Sequence, residues 1–473
     1  MIIKVGFIIQ DIISYNLFKD LILQLARNEK FISEILIAGV ELNNLASEWE
    51  AAKIKFIDPF RLGVNINSSG YKTGFKTQKV RNSAKPFLPT NIRSIFSYIF
   101  LILKIIPDAI NLKIKAIELR KELNSYHYIV TSQDRPFNTA LLLLDAAYSQ
   151  GIKIIQIPIA MLLEAEQAAW SRKTHSTYLK FHPCKESNAQ NIIDTILNNI
   201  AGLIAPKHVL NSRYGKMLPY GGIEILKLKL AGLLTDNLWF HGTKYASFIL
   251  MADSIDKSIF EHACGKNNNI LVFGSPMFDK LNQSVQKKKE IRQKLYTKHK
   301  FDKTKELIIF NIQNFFEHKL LSEKESREFY CQVLDILKNT GKNIILTLHP
   351  SMNIERYSWL AKEYQIPILQ VPLIEFLPAG DIYLTGPNSS TLRFANYINI
   401  KFTQLDFFSS QGNLSNFTRG YRTCNSTDEL EIFLNEADSM RSFKEAHLVF
   451  DKSFCERFIE LLKKDIAETK IKK

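Results

Sequence analysis

A chain of 473 residues, of which 46% are hydrophobic and 23% charged, is too long for one compact core and too apolar for a disordered protein. Its formal net charge of +15 favours a polyanionic partner, namely nucleic acid, an anionic membrane face or a phosphorylated substrate. Since no helix-turn-helix, zinc-finger or aromatic RNP pattern accompanies that charge, we expect no nucleic-acid partner and favour the other two.

The first half of the chain alternates short apolar runs with segments of helical period. Strands are predicted at residues 4–9, 34–40, 54–58, 128–131 and 153–159. Helices are predicted at 15–28, 112–123 and 138–149. Strands that alternate with helices in this way predict a parallel sheet with crossover helices, which is a doubly wound, Rossmann-like domain.

A second series of the same kind follows the lysine-rich stretch 283–300. Strands are predicted at 306–311, 343–348, 367–371, 382–385 and 401–405. Helices are predicted at 323–339, 354–363 and 392–397, with two more between 427 and 469. We therefore expect an α/β protein with two Rossmann-like doubly wound domains, residues 1–280 and 281–445, facing a central cleft, and a C-terminal helical tail, residues 446–473.

The amino terminus predicts a first strand rather than a signal peptide, because residues 1–11 carry no basic leader before a long apolar core. Five widely spaced cysteines without a C-x-x-C pattern are typical of reduced thiols. We therefore expect a cytoplasmic protein.

One mostly apolar segment, residues 95–110, leaves room for contact with a membrane. It contains Lys104, Pro107 and Asp108 and is too short to span a bilayer comfortably. It forms either a buried helix or a helix in the membrane interface, with basic residues near lipid phosphates. The basic residues that follow it are Lys113, Lys115, Arg120 and Lys121.

Two loops in the second half follow directly on predicted strands. His349-Pro350 follows the strand at 343–348, and Ser389-Ser390-Thr391 follows the strand at 382–385 and opens a short helix. Because open α/β sheets bind ligands at the carboxyl ends of their strands, an imidazolium, hydroxyls and helix-terminal N–H groups would together suit a nucleotide phosphate. A chance histidine-proline pair and an ordinary helix cap are the alternatives.

Two further positions could contact a nucleotide. Gly274-Ser275-Pro276 ends an apolar strand, where a glycine lets the backbone approach a ligand, although a plain tight turn is an equal alternative. Glu375 could accept hydrogen bonds from a ribose or a base, or could instead stabilise a helix amino terminus.

A transfer reaction also needs a base for the acceptor hydroxyl. Asp134 follows the strand at 128–131, and Glu164 and Glu166 follow the strand at 153–159. Each is a candidate catalytic carboxylate or an ordinary surface residue. No D-x-D metal motif, Walker loop or G-x-G-x-x-G pattern is present, so we expect a metal-independent reaction without a cofactor.

With His349-Pro350, Ser389-Ser390 and Gly274-Ser275-Pro276, the chain resembles the GT-B superfamily of bacterial surface-polysaccharide enzymes. Within it, the chain is similar to the sialyltransferases, polysialyltransferases and Kdo transferases that carry HP and SS motifs. The resemblance implies a CMP-activated sugar donor whose phosphate is bound by His349, Ser389 and Ser390. The D/E-D/E-G base motif of these families has no clear counterpart in this chain.

Two other families share part of the pattern. CDP-glycerol glycerophosphotransferases carry HGT, HP and SS motifs, and His241-Gly242-Thr243 with Gly274-x-Pro276-x-x-Asp279 resembles part of theirs. The UDP-GlcNAc 2-epimerases share the fold and an HP-like loop but have Gly-Gly where this chain has Ser389-Ser390.

The resemblance thus implies a GT-B-like glycosyltransferase that moves a sugar from a nucleotide donor, namely a CMP-linked sialic acid-like or Kdo sugar, to a bacterial surface glycan. The donor would bind to residues 281–445 and a glycan or lipid-linked acceptor to residues 1–280. CDP-alditol phosphate transfer, sugar-nucleotide 2-epimerisation and a catalytically inactive scaffold are the alternatives. The enzyme would act in the cytoplasm, with peripheral contact to the inner face of the membrane as a further expectation.

Overall fold

The computed structural model describes residues 2–10, 12–37, 55–57, 103, 105–133, 139–159, 162–172, 177–178, 192–240, 242–266, 269–349, 352–387, 389–408, 421–436 and 450–471. The chain divides into two compact units. One unit comprises Met1–Ile159, Ser176–Leu250 and Cys264–Leu271. The other comprises Ala160–His175, Met251–Ala263 and Val272–Lys473. The domain limits at residues 280 and 445 stay a prediction.

The strands are β1 (Ile3–Ile9), β2 (Phe31–Ile37), β3 (Lys55–Ile57), β4 (Tyr128–Thr131), β5 (Lys153–Gln156), β6 (Thr177–Tyr178), β7 (Leu210–Ser212), β8 (Gly215–Leu218), β9 (Phe248–Met251), β10 (Ile270–Val272), β11 (Leu307–Ile312), β12 (Asn343–Leu348), β13 (Ile368–Leu369), β14 (Ile382–Thr385), β15 (Lys401–Leu405) and β16 (Thr423–Cys424).

The helices are α1 (Ile12–Ala26), α2 (Ile105–Leu123), α3 (Thr139–Ser149), α4 (Ala165–Arg172), α5 (Ile192–Ile204), α6 (Gly222–Ala231), α7 (Ser254–Cys264), α8 (Pro276–Gln286), α9 (Lys288–His299), α10 (Glu323–Asn339), α11 (Ile354–Tyr364), α12 (Leu373–Phe376), α13 (Leu392–Tyr397), α14 (Thr427–Asn435) and α15 (Phe454–Ile471). Single 3₁₀ turns lie at Pro206–His208 and Leu377–Ala379.

The first unit is built on a seven-stranded sheet with the order β10-β9-β5-β4-β1-β2-β3. β1 pairs in parallel with β2 and β4, and β5 pairs in parallel with β4 and β9. β1 is buried at every position except Lys4, which is the near-continuous apolar pattern of a strand covered on both faces. A small antiparallel sheet, β6-β8-β7, accompanies it and was not predicted from the sequence.

The second unit contains a six-stranded sheet with the order β13-β12-β11-β14-β15-β16. All five neighbouring pairs are parallel. β11 is buried along its whole length, as expected for a strand near the middle of such a sheet. Two parallel sheets with crossover helices confirm the α/β, doubly wound architecture expected for both halves.

The crossover helix α10 shows how the local sequence sets the start of a helix and its buried face. Ser322 caps α10 and shares a capping box with Glu325, because the Ser322 side chain accepts from the Glu325 N–H and the Glu325 carboxylate accepts from the Ser322 N–H. α10 then buries Phe329, Val333 and Leu337, which recur every four residues on one face. None of the described helices is both long enough and apolar enough to cross a membrane.

Candidate functional site

The six-stranded sheet reverses its order at β11. β12 and β13 extend from one side of β11, whereas β14, β15 and β16 extend from the other. Since these strands are parallel, β11, β12 and β14 end at the same edge of the sheet. Ligands of open α/β sheets bind outside the carboxyl ends of the strands at such a reversal. The loops that follow β11, β12 and β14, here called the switch-point site, are therefore the candidate site.

His349 follows β12, and Asn314 from the loop after β11 orients its ring. The Asn314 Nδ2 atom lies 3.1 Å from His349 Nδ1. Because an amide nitrogen can only donate, Nδ1 accepts and the neutral ring carries its proton on Nε2. The backbone carbonyl of His349 also accepts from the N–H of Met352 at 2.9 Å. These contacts fix both the position and the tautomer of the histidine.

The imidazole of His349 is uncharged at neutral pH. Burial, together with the neighbouring His318, lowers the pKa of His349 to about 4. Burial also lowers the pKa of His318, although the carboxylate of Glu317 acts in the opposite direction. The imidazolium expected from the sequence is therefore not the form of His349 in the protein without ligand, because tertiary neighbours take the ring out of water.

The end of β14 is bound to the loop after β11 by side-chain amides. The Thr385 hydroxyl accepts from Asn311 Nδ2 at 3.1 Å and from Gln313 Nε2 at 2.7 Å. Gly386 follows, and a β-carbon there would lie 2.4 Å from Gln313 Cγ and 2.8 Å from Phe315 Cζ. Only glycine therefore permits the two loops to approach this closely.

Three hydroxyls form a cluster beside this turn. Ser389 Oγ lies 2.6 Å from Thr391 Oγ1, which also hydrogen-bonds the hydroxyl of Tyr383. Burial raises the pKa of Tyr383 to about 12, so this hydroxyl keeps its proton. Thr391 occupies the N-cap position of α13 but makes no side-chain capping bond. The hydroxyls of Ser389, Thr391 and Tyr383 thus bond one another, and Thr391 does not act as an ordinary side-chain cap of the helix. Ser390 is partly exposed.

A buried ion pair lies directly after the hydroxyl cluster. Arg393, 4% exposed, donates from Nη1 to Asp256 Oδ2 at 3.1 Å, and Asp256 is 2% exposed. Asp256 Oδ1 also accepts the backbone N–H of Leu162 at 2.9 Å. This pair joins α13 to α7 and to the segment before α4, and thereby positions the loop that carries Ser389 and Ser390.

Of the three candidate bases, the structure describes Glu164 and Glu166. Glu164 and Glu166 lie in the segment Ala160–His175, which belongs to the same compact unit as the switch-point site, and both are partly exposed. Trp170 of α4 packs edge-on against Phe315, with ring centroids 6.5 Å apart. Glu166 is one helical turn before Trp170 and therefore lies on the same face of α4.

Three predicted or motif positions lie outside the described residues: Asp134, Pro350 and His241. Glu375 is exposed on α12. Its contact with a ribose or a base stays a prediction, as does the base role of Asp134.

Gly274-Ser275-Pro276 faces the C-terminal helix. Gly274 has φ +78°, and a β-carbon there would lie 2.9 Å from the Phe450 ring and 3.0 Å from Arg457 Nη2. Ser275 caps α8 by accepting from the Met277 N–H at 3.3 Å. The structure thus supports the turn alternative, and a nucleotide contact at these positions stays a prediction.

A polar cavity of about 250 Å³ lies beside Gly274 and Ser275. Its wall includes Asp279, whose carboxylate accepts the N–H of Phe454 at 2.6 Å at the start of α15. Arg457 of α15 donates to the carbonyl of Phe273 at 2.8 Å. His349, Ser389 and Ser390 do not line this cavity.

Gln313 and Asn314 were not among the site residues predicted from the sequence. They stand immediately after β11 in the run Asn311-Ile312-Gln313-Asn314, where amides replace apolar residues at the end of a buried strand. That change of polarity was the available signal, because polar side chains at the carboxyl end of a central strand face the ligand edge. In the part of the chain that the structure describes, no group of three or more His, Cys, Asp or Glu side chains could hold a metal ion.

No family model and no curated protein sequence matches the chain. Among solved structures, it is similar to one from Listeria monocytogenes assigned as a UDP-N-acetylglucosamine 2-epimerase, with 13% identity, a TM-score of 0.53 and coverage of 99% of this chain and 97% of that one. It is also similar to the UDP-GlcNAc 2-epimerase from Neisseria meningitidis bound to UDP-GlcNAc, with 12% identity, a TM-score of 0.52 and coverage of 98% and 100%. At such identities the likeness concerns the fold, and it confirms two Rossmann-like domains of the GT-B type.

Proposed function

We propose that the protein is a metal-independent GT-B glycosyltransferase that transfers a sugar from a CMP-linked nucleotide donor to a bacterial surface glycan. One observation carries this proposal: His349 and the Ser389-Ser390-Thr391 turn follow the two strands that flank β11, where the sheet order reverses. A phosphate there would meet an imidazole N–H on one side and hydroxyls on the other.

His349 has two tasks in this mechanism. Its Nε2–H donates to a phosphate oxygen of the donor, and Nδ1 takes up a proton as the anion binds, because a nearby negative charge favours the imidazolium. The amide of Asn314 then turns so that its oxygen accepts from the new Nδ1–H. Ser389 and Ser390 donate to the same phosphate. As the bond between sugar and phosphate breaks, the leaving phosphate gains charge, which these donors stabilise.

The catalytic base is proposed from the position of its helix. Of Asp134, Glu164 and Glu166, Glu166 is favoured, since α4 packs through Trp170 against Phe315, and a β-carbon on Gly386 of the switch-point site would lie only 2.8 Å from the Phe315 ring. It would accept the proton of the acceptor hydroxyl as that oxygen attacks the sugar carbon. The acceptor is proposed to be a glycan or lipid-linked glycan at the inner face of the membrane.

The second candidate function is 2-epimerisation of a UDP-sugar, because both similar structures described above are assigned as UDP-GlcNAc 2-epimerases and cover nearly the whole chain. CDP-alditol phosphate transfer is a third, on the HP and SS motifs alone. A scaffold that has kept the fold without the chemistry would bind a nucleotide tightly without turnover, and replacing Asp134, Glu164 or Glu166 by Ala would change nothing.

The first test is a thermal-shift panel of CMP, CDP, UDP and their sugar or alditol conjugates, since a bound ligand raises the unfolding midpoint with the logarithm of its saturation. The nucleotide that is released on incubation with an acceptor then distinguishes transfer from epimerisation, which releases none. His349→Ala should lower binding or turnover by about 10²-fold. Unaltered kinetics in that variant, or no shift with any nucleotide, would refute the proposal.

A further inference from the structure

Exposed aliphatic side chains are concentrated on three helices of the first unit. Among the described residues, sixteen large hydrophobic side chains are exposed, and ten of them lie on α2, α5 and α6 or just before α2. These ten residues, here called the aliphatic surface, are Leu103, Ile106, Ile110, Ile114, Ile117, Ile196, Ile200, Leu203, Ile204 and Leu230. Single exposed hydrophobic residues need no explanation, but a concentration of this kind indicates an interaction site.

α2 carries two apolar faces. The residues that it buries recur at helical spacing and form the inner face: Ile105, Ala109, Ala116, Leu119 and Leu123. Ile106, Ile110, Ile114 and Ile117 recur at the same spacing of three or four, and 47–62% of each side chain is exposed. At 100° per residue, these four lie within a narrow stripe on roughly the opposite side of the helix. Core packing therefore does not explain them.

The stripe belongs to a layer of packed helices. α6 contacts both α2 and α5. α5 and α6 approach closely because Gly222 has no side chain: a β-carbon there would lie 2.5 Å from the Leu197 carbonyl oxygen. The Gly222 N–H also donates to Asn198 Oδ1 at 2.9 Å. The exposed residues of α5 and α6, of which Leu203 is the most exposed at 81%, therefore lie on helices that pack in one layer with α2.

The charges around this surface favour an anionic partner. Two of the nearby carboxylates are neutralised, since Asp108 lies 2.6 Å from Lys227 and Asp145 lies 3.1 Å from Lys113. The other basic side chains on α2, on α6 and in the turn after α5 are Lys115, Arg120, Lys121, Lys207 and Lys229, against the carboxylates Glu118, Glu122 and Glu224. The chain as a whole carries +15.

We infer that the aliphatic surface docks on an anionic lipid bilayer, with α2 lying in the plane of the membrane interface. Aliphatic side chains would enter the boundary of the acyl chains while lysine and arginine reach lipid phosphates. A 19-residue helix is about 28 Å long, which suits a helix lying along the interface. The inference deepens the membrane contact of the proposed function, and its residues are separate from the switch-point site.

A second copy of the chain is the competing occupant. Protein interfaces are enriched in Tyr, Trp, Phe, Met and Arg at their centres, whereas the ten residues of this surface are all isoleucine or leucine, with five basic side chains against three carboxylates beside them. That composition favours lipid.

The test is flotation of the full chain with phosphatidylcholine vesicles and with vesicles containing phosphatidylglycerol. The wild type should float with the anionic vesicles and lose binding as salt is raised. The double variant Ile110→Ser/Ile114→Ser should bind on the order of 10- to 100-fold more weakly, because two partly exposed aliphatic side chains no longer enter the lipid. The matched control is Val371→Ser/Ile432→Ser, whose side chains are comparably exposed, 47% and 57% against 54% and 49%, and which should float like the wild type.

Three results would overturn the inference: no flotation of the wild type, equal losses in both double variants, or a wild-type dimer in analytical ultracentrifugation that Ile110→Ser/Ile114→Ser converts to a monomer without any lipid binding. The nucleotide panel run on the same variants separates the two proposals. Vesicle binding without any nucleotide shift would leave the docking inference standing and refute only the proposed function.

Discussion

Nucleotide binding should take up a proton at His349 and should therefore tighten as the pH falls. In the free protein, burial and His318 hold the pKa of His349 at about 4. A bound phosphate favours the charged ring and raises that pKa, so between the two values the complex holds a proton that the free protein lacks. If the complex only restores the ordinary pKa of 6.5, affinity rises about 30-fold between pH 7.5 and pH 5.0.

Isothermal titration calorimetry with the nucleotide that gives the largest thermal shift measures this effect. Titrations at several pH values give the slope of affinity, and buffers of different ionisation enthalpy give the number of protons taken up. The matched variant is His349→Gln, whose amide nitrogen still donates but cannot titrate. It should keep much of the neutral-pH affinity and lose the slope, and any titration of the ligand cancels in the comparison.

Two outcomes would refute this reasoning. If wild type and His349→Gln show the same dependence on pH, the proton is taken up elsewhere and His349 does not meet the phosphate. If affinity falls towards acid pH, the anion does not favour the imidazolium, and the neutral ring has another task.

Three further predictions follow from the contacts described. Asn314→Ala should weaken nucleotide binding roughly 3- to 10-fold at neutral pH, because the ring of His349 loses its orienting hydrogen bond, and an unchanged dissociation constant would contradict this. Arg393→Met leaves Asp256 buried without its cation and should lower the free energy of unfolding by about 3–5 kcal/mol in urea titrations, whereas Arg393→Met with Asp256→Asn should recover most of the loss; equal losses would contradict it. Burial lowers the pKa of His208 to about 4. Because the unfolded chain takes up the proton first, the free energy of unfolding should fall by about 2 kcal/mol between pH 7 and pH 5. A His208→Gln variant should lose that share of the pH dependence in thermal unfolding.

The elements that could be predicted are those whose type and limits are determined by the local sequence. β12, β14 and β15 and the helices α10 and α13 lie where they were predicted, because each is a clear run of one period bounded by polar or turn residues. β2 is displaced by three residues, from the predicted 34–40 to Phe31–Ile37. Apolar residues continue on both sides of that run, and parallel pairing of Ile3 with Phe31 fixes its register instead.

The antiparallel sheet β6-β8-β7 could not be predicted for a different reason. Its strands are two to four residues long, and β7, Leu210-Asn211-Ser212, has no apolar alternation. Pairing with β8, where Leu210 faces Met217, makes this segment a strand. Such short elements depend on tertiary contacts rather than on local propensity.

In the candidate site, too, some features follow from local sequence and others depend on tertiary contacts. The positions of His349 and of the Ser389-Ser390-Thr391 turn followed from strand ends, which are local features. The charge of His349 did not, because it depends on burial and on His318. Nor did its tautomer, which depends on Asn314, 35 residues away in the sequence. A sequence therefore locates such a histidine more readily than it gives its protonation state.

The electrostatics of the two proposed surfaces differ in kind, and salt distinguishes them. The groups that would contact a phosphate at the switch-point site are uncharged amides, hydroxyls and a neutral imidazole, and the charge of Arg393 is balanced by Asp256. The charged side chain described beside His318 is the carboxylate of Glu317, which does not attract an anion. A phosphate bound there is recognised by short-range hydrogen bonds and by the proton that it induces on His349, so its affinity should depend only weakly on ionic strength. The aliphatic surface is bordered by exposed lysines, whose attraction to anionic lipid is screened within a Debye length. Raising the salt concentration should therefore release the protein from vesicles well before it releases a nucleotide. If vesicle binding and nucleotide binding weaken equally with salt, lysine or arginine side chains contribute to the nucleotide site, which contradicts this account.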